Sequence, residues 1–428
     1  MLKKYDKYKD SGIEWIGKIP KEWQLTKIGQ VYDERNEKVS DKDFQPLSVT
    51  KNGVVPQLET AAKTDNGENR KLVKKNDFAI NSRSDRRGSC GISEYEGSVS
   101  LINTILAPRK GMCNKFYNYT FKSESFADEF YKWGNGIVDD LWSTKWSAMK
   151  NIYIPYPLLE EQQKIADYLD KKCGDIDNTI ETEKSIIGKL KEYKQSVITE
   201  AVTKGLDKSV ELKDSGIEWI GKIPKHWEVK RTKYTANSFD KGNGITKEDI
   251  ALDGDIQCIR YGEIYSKYDG QCIECVSATN LDKINSPKYI SAGDILFAGT
   301  GELIEEIGKN IVYMGDKPCL AGGDIIILNH NQNPIFLNYA LNNIYSQSQK
   351  SYGKIKLKVV HISASAIGNI RIAIPPKEEQ QQIANYLDKK CSQIDEIIEK
   401  KEQLIEKLTE YKKSLIYECV TGKRKVSK

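Results

Sequence analysis

The side chains with the clearest capacity for chemistry in this chain are basic. Arg83, Arg86 and Arg87 fall within five residues of a stretch that also holds Asp85. An arginine fork can hydrogen-bond O6 and N7 of guanine or grip a phosphate, so this stretch is a candidate DNA-binding loop. The alternative is a solvated loop in which the arginines form ion pairs around Asp85. We name the three arginines as candidate DNA-binding residues.

Lysines form a second set of candidate DNA-binding residues. Lys354, Lys356 and Lys358 alternate with apolar residues. On a β-strand they would share one face and could contact phosphates, although an amphipathic surface strand would show the same pattern. Lys145 is a weaker candidate, because the adjacent Trp146 could belong to the core.

Patterns for catalysis and metal binding are largely missing from the sequence. It has no Gly-x-x-x-x-Gly-Lys-Ser/Thr phosphate loop, no Asn-Pro-Pro-Tyr or Asp-Pro-Pro-Tyr of the kind that amino-methyltransferases use, and no Pro-Asp dipeptide. Cys272 and Cys275 form a lone Cys-x-x-Cys without a second ligand pair at suitable spacing. Ordinary buried thiols are expected there, with structural zinc and a redox pair as alternatives. We therefore predict no catalytic residue and no metal site.

Length and composition limit the class of protein. The 428 residues correspond to about three domains at roughly 150 residues each. A net charge of +5 does not by itself indicate nucleic acid, so polyanion contacts would have to come from local clusters. The sequence shows neither an apolar run of about 18 residues nor the apolar stretch of a signal peptide. We expect a cytoplasmic protein without membrane contact, whose nine cysteines are reduced.

The candidate residues lie inside a tandem duplication. Residues 10–23 and 214–227, here called the leading segments, match at thirteen of fourteen positions. Residues 160–203 and 378–421 match at 27 of 44 positions. Such agreement does not arise by chance, so the chain consists of two copies of one ancestral frame.

The inserts between the repeated blocks, 24–153 and 228–371, show no visible sequence similarity. A repeated frame with unlike inserts favours one scaffold that presents two different binding surfaces; the alternative is a duplicated enzyme whose halves drifted. Hydrophobic patterning and glycine punctuation predict a compact α+β fold for each insert. The predicted strands are 99–107, 294–298 and 324–328, and the predicted helices are 115–133 and 335–349.

The second repeated block predicts two long helices, each on the order of 65 Å at 1.5 Å per residue. Apolar residues recur at alternating steps of four and three, which is a heptad seam. Because the two seams are so similar, we expect them to pack antiparallel as an intramolecular coiled coil about a pseudo-twofold axis. Lys194 and Lys412 interrupt both seams, where they either fix the register or point sideways into solvent. The apolar seam residues are Leu169, Cys173, Ile176, Ile180, Ile187, Leu190, Val197, Leu387, Cys391, Ile394, Ile398, Ile405, Leu408 and Leu415.

The order and duplication of these motifs resemble one protein family. Both leading segments contain Trp-x-x-x-Ile-Pro-Lys-x-Trp, at 15–23 and 219–227. Both long helices open with Glu-Glu-Gln-Gln-x-Ile-Ala-x-Tyr-Leu-Asp, after a proline-rich stretch that differs between the copies. Across essentially the whole chain, this arrangement resembles the DNA specificity subunit of type I restriction-modification systems.

The resemblance implies that each insert is a target-recognition domain that reads one half of a bipartite, asymmetric site in double-stranded DNA. It implies that the coiled coil sets the spacer and docks two methyltransferase subunits, with nuclease/translocase subunits as further partners. S-adenosylmethionine, ATP and Mg²⁺ would be bound by those partners and no cofactor by this chain, a non-catalytic subunit. Two alternatives remain, namely a specificity module of a type II-like modification enzyme and a coiled-coil adaptor that does not bind DNA.

The repeats also predict the domain boundaries. The first target-recognition domain spans 1–153 and the second spans 206–371, each containing its leading segment and its insert. The two long-helix spacers span 154–205 and 372–428.

Overall fold

The computed structural model describes residues 4–57, 67–136, 142–251, 253–355 and 359–426. The chain divides into two units: unit one comprises Met1–Lys184 and Glu402–Lys428, and unit two comprises Ser185–Lys401. Each unit therefore contains one insert and a part of each long helix. A helix with the length and apolarity needed to span a membrane is not found in the described part of the chain.

Unit one is built from short antiparallel strands and short helices. Its strands are β1 (Tyr8–Asp10), β2 (Lys18–Pro20), β3 (Gln24–Lys27), β4 (Tyr32–Glu34), β5 (Lys38–Val39), β6 (Leu47–Thr50), β7 (Gly53–Pro56), β8 (Arg70–Val73), β9 (Phe78–Asn81), β10 (Cys90–Ile92), β11 (Gly97–Val99), β12 (Asn103–Pro108) and β13 (Tyr153–Tyr156). Its short helices are α1 (Ile28–Val31), α2 (Asn114–Lys122), α3 (Glu124–Lys132) and α4 (Trp146–Met149). The central sheet has the strand order β10-β9-β12-β4.

Aromatic side chains join α2 and α3 to this sheet. The ring of Phe78 on β9 lies 5.0 Å from the ring of Phe121 on α2, and Phe121 lies 4.6 Å from Phe126 on α3. All three are fully or almost fully buried and belong to one core with residues of the leading segment. Aromatic pairs in such edge-on and tilted arrangements add packing energy beyond their buried area.

Two long helices belong to both units: α5 (Leu159–Lys204) begins in unit one, and α10 (Lys377–Val420) begins in unit two. The strands of unit two are β14 (Leu212–Asp214), β15 (Lys222–Pro224), β16 (Glu228–Arg231), β17 (Ala236–Lys241), β18 (Ile256–Ile259), β19 (Gln271–Cys272), β20 (Ser277–Thr279), β21 (Tyr289–Ile290), β22 (Ile295–Ala298), β23 (Thr300–Gly301), β24 (Asn310–Tyr313), β25 (Cys319–Ala321), β26 (Ile325–His330), β27 (Val360–His361) and β28 (Arg371–Ile374). Its short helices are α6 (Tyr261–Ser266), α7 (Pro334–Asn342), α8 (Ile344–Ser351) and α9 (Ala364–Gly368).

The two inserts share one fold although their sequences share no visible similarity. The sheet order β24-β22-β26-β17 of unit two repeats the order β10-β9-β12-β4 of unit one, with β19 added at one edge. Helices α7, α8 and α9 follow this sheet as α2, α3 and α4 follow theirs. The first and last strands of each insert pair with each other, β3 with β13 and β16 with β28. The predicted α+β class and tandem duplication are confirmed.

Two of the predicted insert helices are each a pair of helices. The prediction of one helix over 115–133 is wrong, because the chain turns at Ser123, whose hydroxyl caps α3 by accepting from the backbone N–H of Phe126. The prediction over 335–349 is wrong for the same reason. There Asn343 caps α8 by accepting from the N–H groups of Tyr345 and Ser346. Short polar side chains at these positions favour a new helix start over continuation of the old helix.

The predicted strands are nearer to the observed ones. Residues 294–298 and 324–328 contain β22 and most of β26. The predicted strand over 99–107 is interrupted, since β11 ends at Val99 and β12 begins at Asn103 after a turn.

The long helices pack antiparallel inside each unit. In unit one, Cys173 and Ile176 of α5 share a core with Leu415 and Cys419 of α10. In unit two, Val197 of α5 shares a core with residues near the start of α10. In each unit, the N-terminal part of one long helix thus packs against the C-terminal part of the other, as the prediction of an antiparallel coiled coil requires.

Charged residues cross between the helices at matched places in the repeat. In unit two, Nζ of Lys194 lies 2.7 Å from a carboxylate oxygen of Asp395. In unit one, Nζ of Lys412 lies 2.6 Å from a carboxylate oxygen of Asp177. The two lysines that interrupt the apolar seams therefore face acidic partners on the other helix, rather than open solvent. Paired charges of this kind help to define the register of a coiled coil.

Each leading segment is joined to the first turn of a long helix. The indole N–H of Trp23 donates to Glu161 at 2.9 Å, and that of Trp227 donates to Glu379 at 3.0 Å. Both tryptophans are buried, at 1% and 0% exposure. The first carboxylate also accepts from the hydroxyl of Tyr5 at 2.6 Å. These contacts hold each leading segment on the helix that follows its own insert.

Candidate nucleic-acid interface

Two of the predicted DNA-binding residues lie together in a cleft of unit one. Arg83 follows β9, and its backbone pairs with that of Ser143, two residues before Lys145. Arg83 and Lys145 both line a cleft of about 620 Å³, here called the Arg83–Lys145 cleft. About sixty residues of sequence separate the two side chains, so only the fold brings them to one surface.

The Arg83–Lys145 cleft is predominantly basic. Its described lining also includes Lys71 and Lys150, whereas Glu34 supplies a carboxylate that lies 3.7 Å from Nζ of Lys71. Leu101 and Ile102 stand at the same cleft with 41% and 37% of their surface exposed. The remaining lining residues are Asn36, Ser82, Thr104, Ser143, Trp146 and Ser147. Cations can bind phosphates, and exposed apolar groups can contact thymine methyls. A cleft that offers both is suited to duplex DNA.

Arg86 and Arg87 do not line the Arg83–Lys145 cleft. Arg86 lies in a 3₁₀ turn, with its Nε 3.4 Å from Asp85, and two thirds of its side chain is exposed. Arg87 forms an ion pair with Asp128 and lines a separate cleft of unit one, beside Asp177 and Lys412 of the long helices. The three arginines of the predicted loop therefore do not line a single cleft, and their contact with DNA stays a prediction.

The predicted lysine strand of the second insert is not seen where the chain is described. Lys354 lies outside the strands and donates from Nζ to the carbonyl oxygen of His361 at 2.6 Å. Lys356 and Lys358 lie outside the described residues. The extended-strand interpretation thus has no support at Lys354, and the role of the lysines stays a prediction.

Unit two holds a mixed-charge cleft that the sequence pattern did not reveal. Lys247, Arg260, Tyr261 and Lys267 line a cleft of about 750 Å³. Arg260 is paired with Glu263, at 2.7 Å between Nη2 and Oε1, which reduces its availability to a phosphate. The adjacent Arg260 and Tyr261 are the only local signal that could have marked this surface in advance.

The seam residues follow the expected burial closely. Leu190, Ile405 and Leu408 are half-buried, and the remaining apolar seam residues are buried. Near the same helices, the hydroxyl of Tyr119 donates to Asp170 at 2.8 Å, and that of Tyr339 donates to Asp388 at 3.1 Å. Burial and this carboxylate raise the pKa of Tyr119 above its usual range, so the hydroxyl remains a donor.

The Cys-x-x-Cys pair belongs to a cluster of three thiols. The Sγ atoms of Cys272 and Cys275 are 3.8 Å apart, and Sγ of Cys319 lies 3.4 Å from that of Cys275. The hydrogen bond with Cys275 and burial raise the pKa of Cys272 well above its usual range. Protonated thiols of this kind are poor nucleophiles. Within the described ranges, no group of three or more His, Cys, Asp or Glu residues is arranged to hold a metal ion.

Comparison with known proteins places this architecture among DNA-recognition proteins. The sequence profile described as "Type I restriction modification DNA specificity domain" matches residues 20–192 and again residues 224–407. The MjaVIII specificity subunit of a type I restriction enzyme from Methanocaldococcus jannaschii is 26% identical over 391 residues, which cover 86% of each chain. The MjaIX specificity subunit from the same organism is 25% identical over 323 residues, covering 69% of this chain and 70% of that protein.

Solved structures show the same fold at lower sequence identity. A chain described under "complex assembly" and "conformational transition of the type I R-M system" superposes with a TM-score of 0.72 at 13% identity, covering 94% of this chain and 98% of that one. The HsdS subunit from Thermoanaerobacter tengcongensis superposes with a TM-score of 0.54 at 14% identity, covering 95% and 98%. At such identities these likenesses establish the fold alone.

Proposed function

Because this chain belongs to the family of type I restriction-modification DNA specificity subunits, we propose that it selects a bipartite DNA site whose two halves differ. Its role is DNA sequence recognition, and neither the adaptor nor the type II-like alternative is favoured by its relatives. The observation that carries the proposal is the presence of one recognition fold twice in one chain, with unlike side chains on each copy. Copies of one fold that carry unlike side chains are expected to read unlike half-sites.

The first half-site would be read at the Arg83–Lys145 cleft. Arg83 and Lys145 bring positive charge from two distant segments, and the cleft can admit a phosphate or a base edge beside Leu101 and Ile102. Contacts to phosphates would supply affinity, and contacts to base edges would supply sequence selection. Arg86 and Arg87 take secondary roles in this proposal, because their described partners are carboxylates.

The long helices would act as the ruler between the two readers. Their antiparallel pairing and cross-helix ion pairs give the scaffold a defined register, so the unread spacer of the site would have a fixed length. Exposed apolar side chains on these helices, including Tyr193, Tyr386, Leu404 and Tyr411, would receive two methyltransferase subunits. Nuclease/translocase subunits would join the same complex.

The chain itself would be non-catalytic. Its sequence lacks the motifs for nucleotide and methyl-donor chemistry, so S-adenosylmethionine, ATP and Mg²⁺ would be bound by the partner subunits. The complex would work in the cytoplasm, where DNA is accessible and thiols remain reduced. All nine cysteines here are free thiols, in keeping with that compartment.

The direct test is to co-express the chain with a methyltransferase subunit of its own system and to map methyladenine in the host DNA by single-molecule sequencing. We expect a two-part motif with a spacer of constant length, which disappears when this chain is omitted. Lys145→Ala should weaken methylation through the first half of the motif. Complete assembly without any motif-dependent methylation would contradict the proposal.

A further inference from the structure

Each unit contains a place where two distant chain segments meet through backbone pairing. In unit one, Arg83 pairs antiparallel with Ser143, and we call this place the first crossing. In unit two, Thr300 pairs antiparallel with His361, and we call this place the second crossing. About sixty residues separate the partners in each case, so both crossings are products of the tertiary fold.

The two crossings occupy the same position in the shared fold. Next to the first crossing, the backbone N–H of Thr144 donates to the carbonyl of Ser82 at 3.0 Å. Next to the second, the backbone N–H of Ile362 donates to the carbonyl of Gly299 at 2.9 Å. Each crossing lies just after a central strand, β9 or β22, and just before a short helix, α4 or α9. Equivalent backbone bonds at equivalent positions make the side chains there directly comparable.

The side chains at the two crossings are chemically unlike. The first crossing presents Arg83 and, two residues beyond Ser143, Lys145. The second crossing presents Thr300 and His361, with Oγ1 of the threonine 3.1 Å from Nδ1 of the histidine. The matched backbone bonds align Arg83 with Thr300, Ser143 with His361 and Lys145 with Ser363. Two cationic side chains of the first frame therefore correspond to hydroxyls in the second, and a serine of the first corresponds to an imidazole in the second.

A residue outside the Thr300–His361 pair, Lys354, also holds the second crossing in place. Nζ of Lys354 donates to the carbonyl oxygen of His361 at 2.6 Å, while the histidine side chain itself is exposed. The side chain of His361 is open to solvent, while its backbone and one ring nitrogen are anchored. This anchoring preorganises the side chain for recognition. Lys354 thus helps to position His361 in unit two, while the phosphate contact suggested by the lysine pattern stays a prediction.

We propose that the two crossings are the specificity-determining positions of this chain: Arg83 with Lys145 selects the first half-site, and His361, positioned by the buried Thr300, selects the second. The inference rests on the proposed function and assigns the residues that perform it. Arginine and lysine donate to guanine O6 and N7 in the major groove, whereas the imidazole of His361 can donate or accept through the ring nitrogen that Thr300 does not contact. The two crossings have equivalent backbones but different hydrogen-bonding side chains. They would therefore select different bases at corresponding places of the two half-sites.

The alternative is that the crossings are structural joints and that bases are read elsewhere, for example at the cleft lined by Lys247 and Tyr261. The two possibilities differ in what side-chain substitution does. A joint is maintained by backbone hydrogen bonds, so conservative surface substitutions would leave the recognised sequence unchanged. A reader loses discrimination when its donors are removed.

The test uses the full chain in the assembled methyltransferase complex and compares His361→Ala with Lys145→Ser. Lys317→Ala and Lys110→Ser, two exposed lysines outside the crossings, serve as matched controls in the second and first inserts. The readouts are the methyladenine motif from single-molecule sequencing and titration of duplexes that vary in one half-site at two salt concentrations.

We expect His361→Ala to relax at least one base of the second half-site by about tenfold or more, while the first half-site and spacer persist. Lys145→Ser should alter only the first half-site. Wild-type-like motifs from both variants would overturn the inference and leave the proposed function standing. A wild-type complex without any bipartite motif would instead remove the proposed function. The first half-site that persists in His361→Ala excludes misfolding as the cause, and a Thr300→Ser variant, which keeps the hydroxyl that contacts the imidazole, should retain the second half-site.

Discussion

The ammonium nitrogen of Lys350 donates a hydrogen bond to the carbonyl oxygen of Gly308 at 2.7 Å. It donates a second to Oδ1 of Asn310 at 2.8 Å, and only 2% of the residue is exposed. Both acceptors are neutral. Burial therefore lowers the pKa of Lys350 from 10.5 to about 7.

This relationship predicts that the contribution of Lys350 to stability rises with pH. Between pH 7 and about 10.5 the unfolded chain holds a proton on Lys350 that the folded chain has released, so folding is favoured as pH increases through that window. The slope for one proton is at most about 1.4 kcal/mol per pH unit. Thermal unfolding at pH 7, 8 and 9 should show a slope of stability against pH that is more positive in the wild type than in Lys350→Met. The exposed Lys317→Met is the control, and equal slopes in both variants would contradict the assignment.

The tryptophan–glutamate contact predicts a local loss of stability. Glu379→Ala removes the acceptor of the Trp227 indole and of the His226 ring, whose Nε2 lies 2.6 Å from the carboxylate. Because a buried indole N–H is left without its partner, we expect a loss of about 1 to 3 kcal/mol in the free energy of unfolding. The neighbouring Glu378→Ala changes the same charge at the helix start without this contact. Urea unfolding that fails to separate the two variants would exclude the contact as a source of stability.

The cross-helix ion pairs predict a measurable coupling between the long helices. A double-mutant cycle on Lys194 and Asp395, with methionine and asparagine as replacements, should give a coupling energy of about 0.5 to 1 kcal/mol. The Lys194 side chain is 17% exposed, whereas Lys412 is 28% exposed, so the cycle on Lys412 and Asp177 should give less. Raising the salt concentration should reduce both values. Zero coupling for Lys194 at low salt would mean that the pair does not contribute to the register.

The separation of the three arginines predicts unequal effects on DNA binding. Arg83→Ala removes a cation from the Arg83–Lys145 cleft and should weaken specific binding about tenfold or more. Arg87→Ala instead breaks an ion pair with Asp128 at a different cleft and should change binding less than about twofold. Fluorescence titration of a duplex that carries the mapped site measures both. An Arg87→Ala effect as large as that of Arg83→Ala would show that the loop acts as one unit.

Much of the architecture follows from the sequence because repetition and period are local properties. Local sequence alone reveals the leading segments, the heptad seams from Leu169 and Leu387, and the glutamates at the helix starts. The α+β class and the paired long helices were predictable for that reason. The breaks at Ser123 and Asn343 were not predicted, because a capping hydrogen bond competes with helix continuation by a small free energy that hydrophobic period does not report.

The relationships between residues far apart in the chain depend on the tertiary structure. The sequence alone determined that two frames repeat and that their inserts differ. It did not determine that the inserts share one sheet order, that Arg83 stands beside Lys145 and apart from Arg87, or that Lys354 supports His361. The physical reason is that backbone pairing and core packing require only alternating burial, which many unrelated sequences satisfy. The surface side chains carried by that backbone meet only when distant strands are brought together.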